Sequence, residues 1–266
     1  MISQILSHLP DNFPWRNRIH CYDLLGSTNT LAKEMAAAGA PHGTAILADR
    51  QSAGRGRLGR SFHSPGGTGV YLSVILRPQC HPEQLMHLTC ATAVAMCNAV
   101  SACVGFRPGI KWTNDLVYRQ RKLAGILTEL SIDPVTGCVD YAIIGVGINC
   151  NQSLEDFPEE LRSFAGSLSM FSESPVNRNA VAAKMLQALL NMDTRLLTEK
   201  SAIMDAYAQN CITVGRDISL VRSDTVRHGH AIGITPEGAL LVRFPEGTVE
   251  EISSGEVSVR GMYGYL

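Results

Sequence analysis

Two runs of aliphatic residues joined by a short turn constrain the fold of this chain most. The runs extend from Leu123 to Leu130 and from Val139 to Ile148, and the segment between them contains Asp133-Pro134 and Thr136-Gly137. Both dipeptides are typical of turns. A short connection of this kind joins antiparallel strands, because parallel strands need a crossover of roughly a dozen residues or more. We therefore expect neighbouring antiparallel strands here.

Further strands and helices are expected on both sides of this pair. Strands are predicted where β-branched and aliphatic residues lie between Gly, Pro or polar clusters, at Thr44 to Ala48, Val70 to Leu76 and Gly109 to Trp112. Helices are predicted from Ser27-Thr28-Asn29 to Gly39, from Pro82 to Val104, from Asn177 to Thr198 and from Ala202 to Asn210. The second helix is apolar on nearly every side, which indicates a buried position. Together these elements predict an α+β fold, in which a mixed, largely antiparallel sheet is flanked by helices.

The character of the sequence changes after Gly215. Short β runs separated by turns containing Gly or Pro follow at Ile218 to Val221, Ala231 to Ile234, Ala239 to Phe244 and Val249 to Ile252. This pattern is typical of a small closed sheet. We therefore expect two domains, comprising residues 1–212 and residues 213–266.

Composition limits the partners and the location. The formal net charge is −1, so attraction to DNA or to an anionic membrane would require a local basic cluster. The first residues, with Pro10, Asp11 and Pro14, lack the apolar stretch of a secretory signal. The longest near-apolar run, Thr92 to Phe106, is shorter than the roughly 18–20 residues that span a bilayer. These features predict a cytoplasmic protein without membrane contact.

The eight cysteines do not form a recognisable site in the sequence. They are scattered without a Cys-x-x-Cys pair or a nearby Cys/His group. We therefore expect neither a zinc site nor a redox motif, and interpret the cysteines as small, reduced apolar residues.

A loop in which glycine alternates with arginine is the strongest local signal for chemistry. It reads Gln51-Ser52-Ala53-Gly54-Arg55-Gly56-Arg57-Leu58-Gly59-Arg60 and lies between two predicted strands. Glycine lets the backbone approach an anion closely, and arginine supplies a planar charged group suited to phosphate or carboxylate. The loop lacks the features of a Walker loop or a dinucleotide fingerprint. It indicates a phosphate clamp, with a solvated basic turn or an Arg-Gly nucleic-acid segment as alternatives.

A second signal combines two lysines and an aspartate at the ends of neighbouring strands. Lys111-Trp112-Thr113-Asn114-Asp115 is followed by Arg121-Lys122-Leu123-Ala124-Gly125. Side chains at strand ends are held rigidly over a cleft, which suits catalysis. The alternative interpretation is that Asn114-Asp115 forms an ordinary turn and that Lys122 is a solvated edge charge.

Two further motifs have simple structural alternatives. In Gly145-Val146-Gly147-Ile148-Asn149, two glycines within an apolar strand allow a close approach of a ligand, or mark a β-bulge. The polar side chains of Ser27-Thr28-Asn29 can bind a small polar ring system, or only cap the helix that they begin.

The order and spacing of these motifs resemble those of the biotin–protein ligase family over about residues 20–260. In that family a Ser-Thr-Asn helix start, a Gly-Arg-Gly-Arg-x-Gly-Arg loop, a Lys-Trp-Pro-Asn-Asp segment, a Lys-Leu-x-Gly-Ile-Leu strand and a Gly-x-Gly-Ile-Asn strand follow one another. The resemblance implies a catalytic domain akin to that of class II aminoacyl-tRNA synthetases, followed by a small SH3-like β-barrel. It also implies ATP and biotin as substrates, with Mg²⁺ assisting.

The resemblance also implies roles for individual residues, which no sequence spacing establishes by itself. Biotin would contact Ser27, Thr28, Asn29, Gln51, Gly54, Arg55, Arg57, Lys122, Gly125 and Gly145. The nucleotide would contact Arg57, Arg60, Phe62, Lys111, Trp112, Asn114 and Asn149. The expected catalytic residues are Arg55, Arg57, Lys122 and Asp115, and no residue is assigned as a certain metal ligand. The glycines predict a mobile loop over residues 51–64 that orders over the bound adenylate.

The expected partner is the biotin carboxyl carrier domain of acetyl-CoA carboxylase or a related carboxylase, whose lysine accepts biotin.

The chain departs from the family pattern at Thr113, where proline is usual, and at Phe62, where tryptophan is usual. Because the catalytic motifs begin by residue 27, we expect no DNA-binding domain and no DNA partner. Dimerisation stays open. A lipoate or octanoate ligase or transferase is the nearest alternative, and a nucleic-acid-binding module is a second.

Overall fold

The predicted antiparallel pair lies inside a seven-stranded sheet of the computed structural model, which describes residues 2–222, 225–253 and 256–259. The strand order is β1-β2-β3-β7-β6-β5-β4. The strands are β1 (Ile19–Leu25), β2 (Thr44–Gln51), β3 (Gly69–Leu76), β4 (Gly109–Lys111), β5 (Asp115–Tyr118), β6 (Arg121–Ile132) and β7 (Val139–Asn149). Strands β1 and β2 are parallel, and the other neighbours are antiparallel. The predicted mixed, largely antiparallel sheet is therefore confirmed.

Helices cover the sheet unequally on its two faces. They are α1 (Ile2–Leu6), α2 (Thr28–Ala37), α3 (Leu88–Ser101), α4 (Arg178–Arg195) and α5 (Lys200–Asn210). Helix α3 packs between the sheet and helices α4 and α5 in the main hydrophobic core. Helix α2 packs on β2, β3 and β7 in a separate small cluster that includes Ile46, Ile75 and Ile143. Since neighbours of these three residues along each strand belong to the main core, α2 occupies the opposite face. Only part of that face is covered, which leaves room for a site beside α2.

The predictions from the sequence missed some secondary-structure elements and merged a 3₁₀ turn with the helix that follows it. Strand β1 was not predicted because its residues are mixed in polarity and mostly only partly buried. Short elements α1 and β5 were also missed. The helix expected from Pro82 begins at Leu88, after a separate 3₁₀ turn at Pro82–Leu85. The peptide bond between Trp112 and Thr113 is cis.

A second, smaller sheet follows the last helix, as the sequence predicts. Its antiparallel strands have the order β11-β10-β9-β8-β12. They are β8 (Asp217–Arg222), β9 (Thr225–Ile234), β10 (Leu240–Arg243), β11 (Val249–Ile252) and β12 (Glu256–Val259). The first four correspond to predicted strands, and β12 was not predicted. Two hydrogen bonds from Trp112 join this sheet to the first: its backbone N–H donates to Thr213 Oγ1 at 2.9 Å, and its indole Nε1–H donates to the Gly238 carbonyl at 2.9 Å.

Buried cysteines are part of the core. Burial raises the pKa of the Cys90, Cys97 and Cys150 thiols to about 12. A thiol of this kind is not a nucleophile at neutral pH. All eight cysteines are free thiols.

Among the described residues, no helix has the length and apolar character needed to cross a membrane.

Candidate active site

Three glycines make a hollow in the sheet face beside helix α2. Gly147 on β7 pairs directly with Gly125 on β6, and Gly145 lies two residues earlier on the same face of β7. A Cβ atom on Gly147 would lie 2.5 Å from the Phe62 ring, and one on Gly145 would overlap the amide oxygen of Asn29. The pairing of β7 with both neighbours is regular at these positions, so the bulge alternative is wrong. The glycines at 145 and 147 are required because the Asn29 and Phe62 side chains approach β7 closely.

The hollow belongs to a cavity of about 240 Å³. Most residues expected at the site line it: Ser27, Thr28, Asn29, Gln51, Arg55, Arg57, Arg60, Phe62, Lys111, Trp112, Asn114, Asp115, Lys122, Gly125 and Gly145. Further lining residues were not expected, among them Ser61, Leu127, Leu161, Phe164 and Val257. The structure therefore gathers motifs that are up to 118 positions apart, from Ser27 to Gly145, around one space.

Gly54 and Asn149 are placed differently from the other expected residues, since neither lines the cavity. The Phe62 N–H donates to the Gly54 carbonyl at 2.9 Å, and a Cβ on Gly54 would overlap the Phe62 carbonyl. Gly54 therefore lets the two arms of the loop approach. Asn149 is buried, donates to the Gly166 carbonyl at 3.0 Å and accepts from Gln152 at 3.3 Å. Its contact with the nucleotide stays a prediction.

The start of helix α2 forms the polar end of the hollow. Ser27 is the N-cap residue, but its side chain makes no capping hydrogen bond, so capping alone does not explain it. The Thr28 N–H donates to Gln51 Oε1 at 2.8 Å, and Gln51 Nε2–H donates to Ser64 Oγ at 2.9 Å. Asn29 is buried above Gly145. Hydrogen-bonding groups from the helix and from β2 thus converge on one end of the hollow.

The glycine–arginine loop lies beside the cavity, where Arg57 is half-buried, while Arg55, Leu58 and Arg60 are exposed. Its two arms pair at Arg55 and Ser61, and the Gly56 N–H donates to the Arg60 carbonyl at 2.7 Å. At the tip, Leu58 has a φ of 55°, a left-handed conformation that is uncommon for leucine. The Arg57 guanidinium donates to Asn114 Oδ1 at 3.1 Å. Asn114 in turn donates to the Ile126 carbonyl at 2.8 Å, so the loop is tied to β6.

Lys122 and Asp115 form an ion pair at the other end of the hollow. The Lys122 ammonium lies 2.6 Å from Asp115 Oδ1, and the side chains are 27% and 16% exposed. A Cβ on Gly125 would lie 3.5 Å from the same ammonium. The alternative of a solvated edge charge is therefore wrong, because a partly buried lysine with a fixed partner faces the cavity.

A glutamate missed in the sequence connects the loop to helix α2. Glu129 lies on the site face of β6, two and four residues beyond Leu127 and Gly125. Its carboxylate contacts Lys33 at 2.6 Å, Asn29 at 2.9 Å and Arg55 at 3.1 Å. Burial raises the pKa of Glu129, but hydrogen bonds from Lys33 and Asn29 and the charges of Lys33 and Arg55 outweigh it, so the pKa is lowered overall. Because side chains alternate between the two faces of a strand, the spacing of Glu129 from Gly125 along β6 could have indicated its position on the site face.

A segment after β7 closes the cavity beside Lys122. The Lys122 N–H donates to the Phe164 carbonyl at 2.7 Å, and the Gly166 N–H donates to the Lys122 carbonyl at 2.9 Å. These bonds bring Leu161 and Phe164 to the cavity wall. The segment has no regular hydrophobic period, so nothing in the sequence indicated its position.

Comparison with known proteins agrees with this geometry. Residues 22–149 match the Biotin/lipoate A/B protein ligase family. Residues 213–260 match the Biotin protein ligase C terminal domain. The fold and the cavity thus define a protein ligase of the biotin/lipoate class.

Individual relatives indicate which family within the biotin/lipoate protein ligases this chain resembles. A bifunctional ligase/repressor BirA of Bacillus spizizenii is 35% identical over 241 residues, which are 89% of this chain and 72% of that protein. A biotin–[acetyl-CoA-carboxylase] ligase of Mycobacterium tuberculosis is 31% identical over 244 residues, 87% of this chain and 85% of that protein. The biotin protein ligase from Aquifex aeolicus, solved in complex with biotin and ATP, is 28% identical, with a TM-score of 0.76 over 91% of this chain and 98% of that chain. The chain belongs to the biotin protein ligase family.

Proposed function

We propose that this chain activates biotin with ATP to give biotinyl-5′-AMP and pyrophosphate, and then transfers biotin to a lysine of a carboxylase carrier domain. The observation that carries the proposal is the two-ended hollow. Polar groups of Thr28, Asn29 and Gln51 lie at one end, and the Lys122 ammonium lies at the other. Biotin has a matching shape, with a hydrogen-bonding ureido ring at one end and a carboxylate at the other.

The polar end favours biotin over lipoate. A ureido group offers two N–H donors and a carbonyl acceptor, whereas the dithiolane ring of lipoate offers no comparable group. A cavity end lined by hydrogen-bonding groups favours a ligand that can exchange hydrogen bonds with them over one that cannot. The lipoate alternative is therefore the weaker one. The nucleic-acid alternative also has little support, because Arg55 and Arg57 are held by Glu129 and Asn114.

Adenylation makes the carboxylate reactive. A biotin carboxylate oxygen attacks the α-phosphorus of ATP, a new P–O bond forms, and pyrophosphate leaves with the electron pair of the broken P–O bond. The negative charge crowded around this centre is offset by Lys122 and by Arg57, both of which line the cavity. Arg55 supports the loop from its base. Most of the acceleration comes from fixed charge and positioning.

Asp115 can serve either half of the reaction. It is the one carboxylate among the described residues that line the cavity. Mg²⁺ that accompanies nucleotides usually binds one or two carboxylates and the phosphate oxygens, so this residue fits such an ion, which would neutralise phosphate charge when bound. In the second step the carrier lysine attacks the mixed anhydride, an amide forms and AMP leaves. A free lysine has a pKa of about 10.4, so Asp115 is our candidate for orienting the amine or accepting its proton.

Pyrophosphate exchange tests the proposed function. The purified protein is incubated with ATP, Mg²⁺, labelled pyrophosphate and either biotin or lipoate. Exchange that requires biotin is expected, and exchange that requires lipoate would contradict the proposal. Incorporation of biotin into a carboxylase carrier domain then tests the second step.

The domain boundary near residue 213, the cytoplasmic location and the absence of DNA binding stay predictions.

A further inference from the structure

The Glu129 carboxylate gathers four donors from separate parts of the chain. Oε1 contacts Lys33 Nζ at 2.6 Å and Arg55 Nη2 at 3.1 Å. Oε2 accepts from Asn29 Nδ2 at 2.9 Å and from Arg55 Nη1 at 3.3 Å. Lys33 and Asn29 belong to helix α2, Arg55 belongs to the glycine–arginine loop, and Glu129 belongs to β6. One carboxylate therefore joins three elements that border the cavity.

The loop is attached to the sheet on both sides of the cavity. On one side Arg55 binds Glu129, and on the other Arg57 donates to Asn114 at 3.1 Å. Between these contacts the Phe62 ring lies over the glycine hollow. Both attachments are contacts between side chains of this chain itself, so the loop position depends on Glu129 and Asn114.

The negative charge of Glu129 holds two cations close to each other. Two cations, Lys33 and Arg55, share one carboxylate whose side chain is 18% exposed. If the carboxylate becomes a neutral amide, the two cations face each other without a counter-charge. Arg55 can then relieve the repulsion by moving into solvent, because its side chain is already 42% exposed.

We propose that Glu129 is a positioning residue that holds the glycine–arginine loop over the adenylate through Arg55. The proposal rests on the proposed function. Glu129 does not line the cavity itself, and it reaches the cavity wall through Arg55 of the loop and through Asn29 of α2. Its charge keeps the loop closed during the interval between adenylation and transfer, which limits escape and hydrolysis of the mixed anhydride.

Glu129→Gln tests the proposal in two ways. Without ligand, trypsin cleavage after Arg57 and Arg60 is expected to be roughly tenfold faster than in the wild type, since a charged hydrogen-bonded contact is lost. In single-turnover experiments biotinyl-AMP is expected to leave the enzyme roughly tenfold faster, with a smaller change in the rate of its formation. Glu129→Asp, which keeps the charge, is expected to recover part of the difference.

Control variants distinguish loss of the contact between Glu129 and Arg55 from a general loss of stability. Glu173→Gln removes an exposed carboxylate and should leave both rates unchanged. In an Arg55→Ala background, Glu129→Gln should add nothing to cleavage after Arg57 and Arg60, because its partner on the loop is gone. Unchanged loop cleavage in Glu129→Gln, or a full additional effect in the Arg55→Ala background, would overturn the proposal. The cleavage assay needs no substrate, so its result is independent of whether biotin supports pyrophosphate exchange.

Discussion

The Lys122 ammonium, near the start of β6, lies 2.6 Å from the carboxylate of Asp115, the first residue of β5, beside the glycine hollow. Both side chains are mostly buried, and the ion pair holds the lysine charge at the cavity wall. Fixed charges of this kind stabilise developing negative charge without the cost of reorganising solvent. In the proposed reaction, this ion pair would place Lys122 for the first half-reaction and Asp115 near the same centre for the second.

Lys122→Ala is expected to lower biotin-dependent pyrophosphate exchange by about a hundredfold or more, since loss of one preorganised charge-stabilising group costs roughly 10²–10³ in rate. Lys184→Ala, which removes an exposed lysine of α4, is the control and should exchange at the wild-type rate. A near wild-type rate in Lys122→Ala would remove this residue from the mechanism.

Asp115→Asn separates the two roles of this carboxylate. If Asp115 orients or deprotonates the carrier lysine, transfer from preformed biotinyl-AMP should slow by about a hundredfold, which is a typical contribution of a positioned base. Formation of the adenylate should change less. Single-turnover transfer to a purified carrier domain measures the first rate, and pyrophosphate exchange measures the second. Slow adenylation with normal transfer would instead assign Asp115 to the nucleotide and its metal ion.

Regular elements and local motifs were predictable from this sequence because their signals are local. The pair β6–β7 follows from two aliphatic runs and a turn, and the glycines of β7 stand out in an apolar strand. In contrast, β1 pairs with one neighbour only and mixes polar with apolar residues, so no period indicates it. Strand β5 is short and directly follows the motif that ends in Asp115.

Contacts between distant segments were not predictable in the same way. A single glutamate in a strand is typical of a solvated position, and only the fold brings Glu129 to Arg55, 74 positions away. The Phe62 ring meets Gly147 through the closure of a loop on a sheet, which no local pattern encodes. The motifs therefore indicated most of the residues that line the cavity, whereas their contacts with one another depended on tertiary structure.

Gly147→Ala is expected to raise the KM for biotin at least about tenfold, because the added methyl group would lie 2.5 Å from the Phe62 ring. The ring or the ligand must then move out of the hollow. Gly233→Ala, in strand β9, is the matched control, since its Cβ would lie 3.5 Å from Leu241 in ordinary contact. Adding Phe62→Leu to Gly147→Ala should recover part of the affinity. No recovery, with an unchanged thermal midpoint, would show that the ring and the methyl group do not share this space.

Trp112→Phe is expected to loosen the small sheet, because it removes the hydrogen bond from the indole to the buried Gly238 carbonyl. Loss of such a bond costs about 1–2 kcal/mol of unfolding free energy. Denaturant unfolding measures this change, and cleavage of residues 213–253 by a protease reports the local effect. Trp15→Phe is the comparison, since Trp15 packs against Phe13 and His42. Equal protease sensitivity of the two variants in the small sheet would contradict a specific link through Trp112.

His87 should make stability depend on pH near neutrality. It is fully buried, its Nε2–H donates to the Leu196 carbonyl at 3.0 Å, and Nδ1 has no hydrogen-bond partner within the part of the chain that the structure describes. Burial lowers the pKa of His87 below its ordinary 6.5, although the Leu196 carbonyl acts in the opposite direction. Below pH 6.5 the unfolded chain therefore binds a proton that the folded chain resists.

The unfolding free energy of the wild type is accordingly expected to fall as the pH drops below 6.5, with a slope from this group of at most about 1.4 kcal/mol per pH unit. His87→Gln cannot titrate, so its stability should depend less on pH over the same window, whatever its stability at pH 7.5. Urea unfolding of both proteins between about pH 7.5 and 5.5 measures the difference in slope. His20→Gln, at an exposed position, is the control and should keep the wild-type slope. Parallel pH profiles for the wild type and His87→Gln would mean that the buried ring takes up its proton as readily as an exposed one.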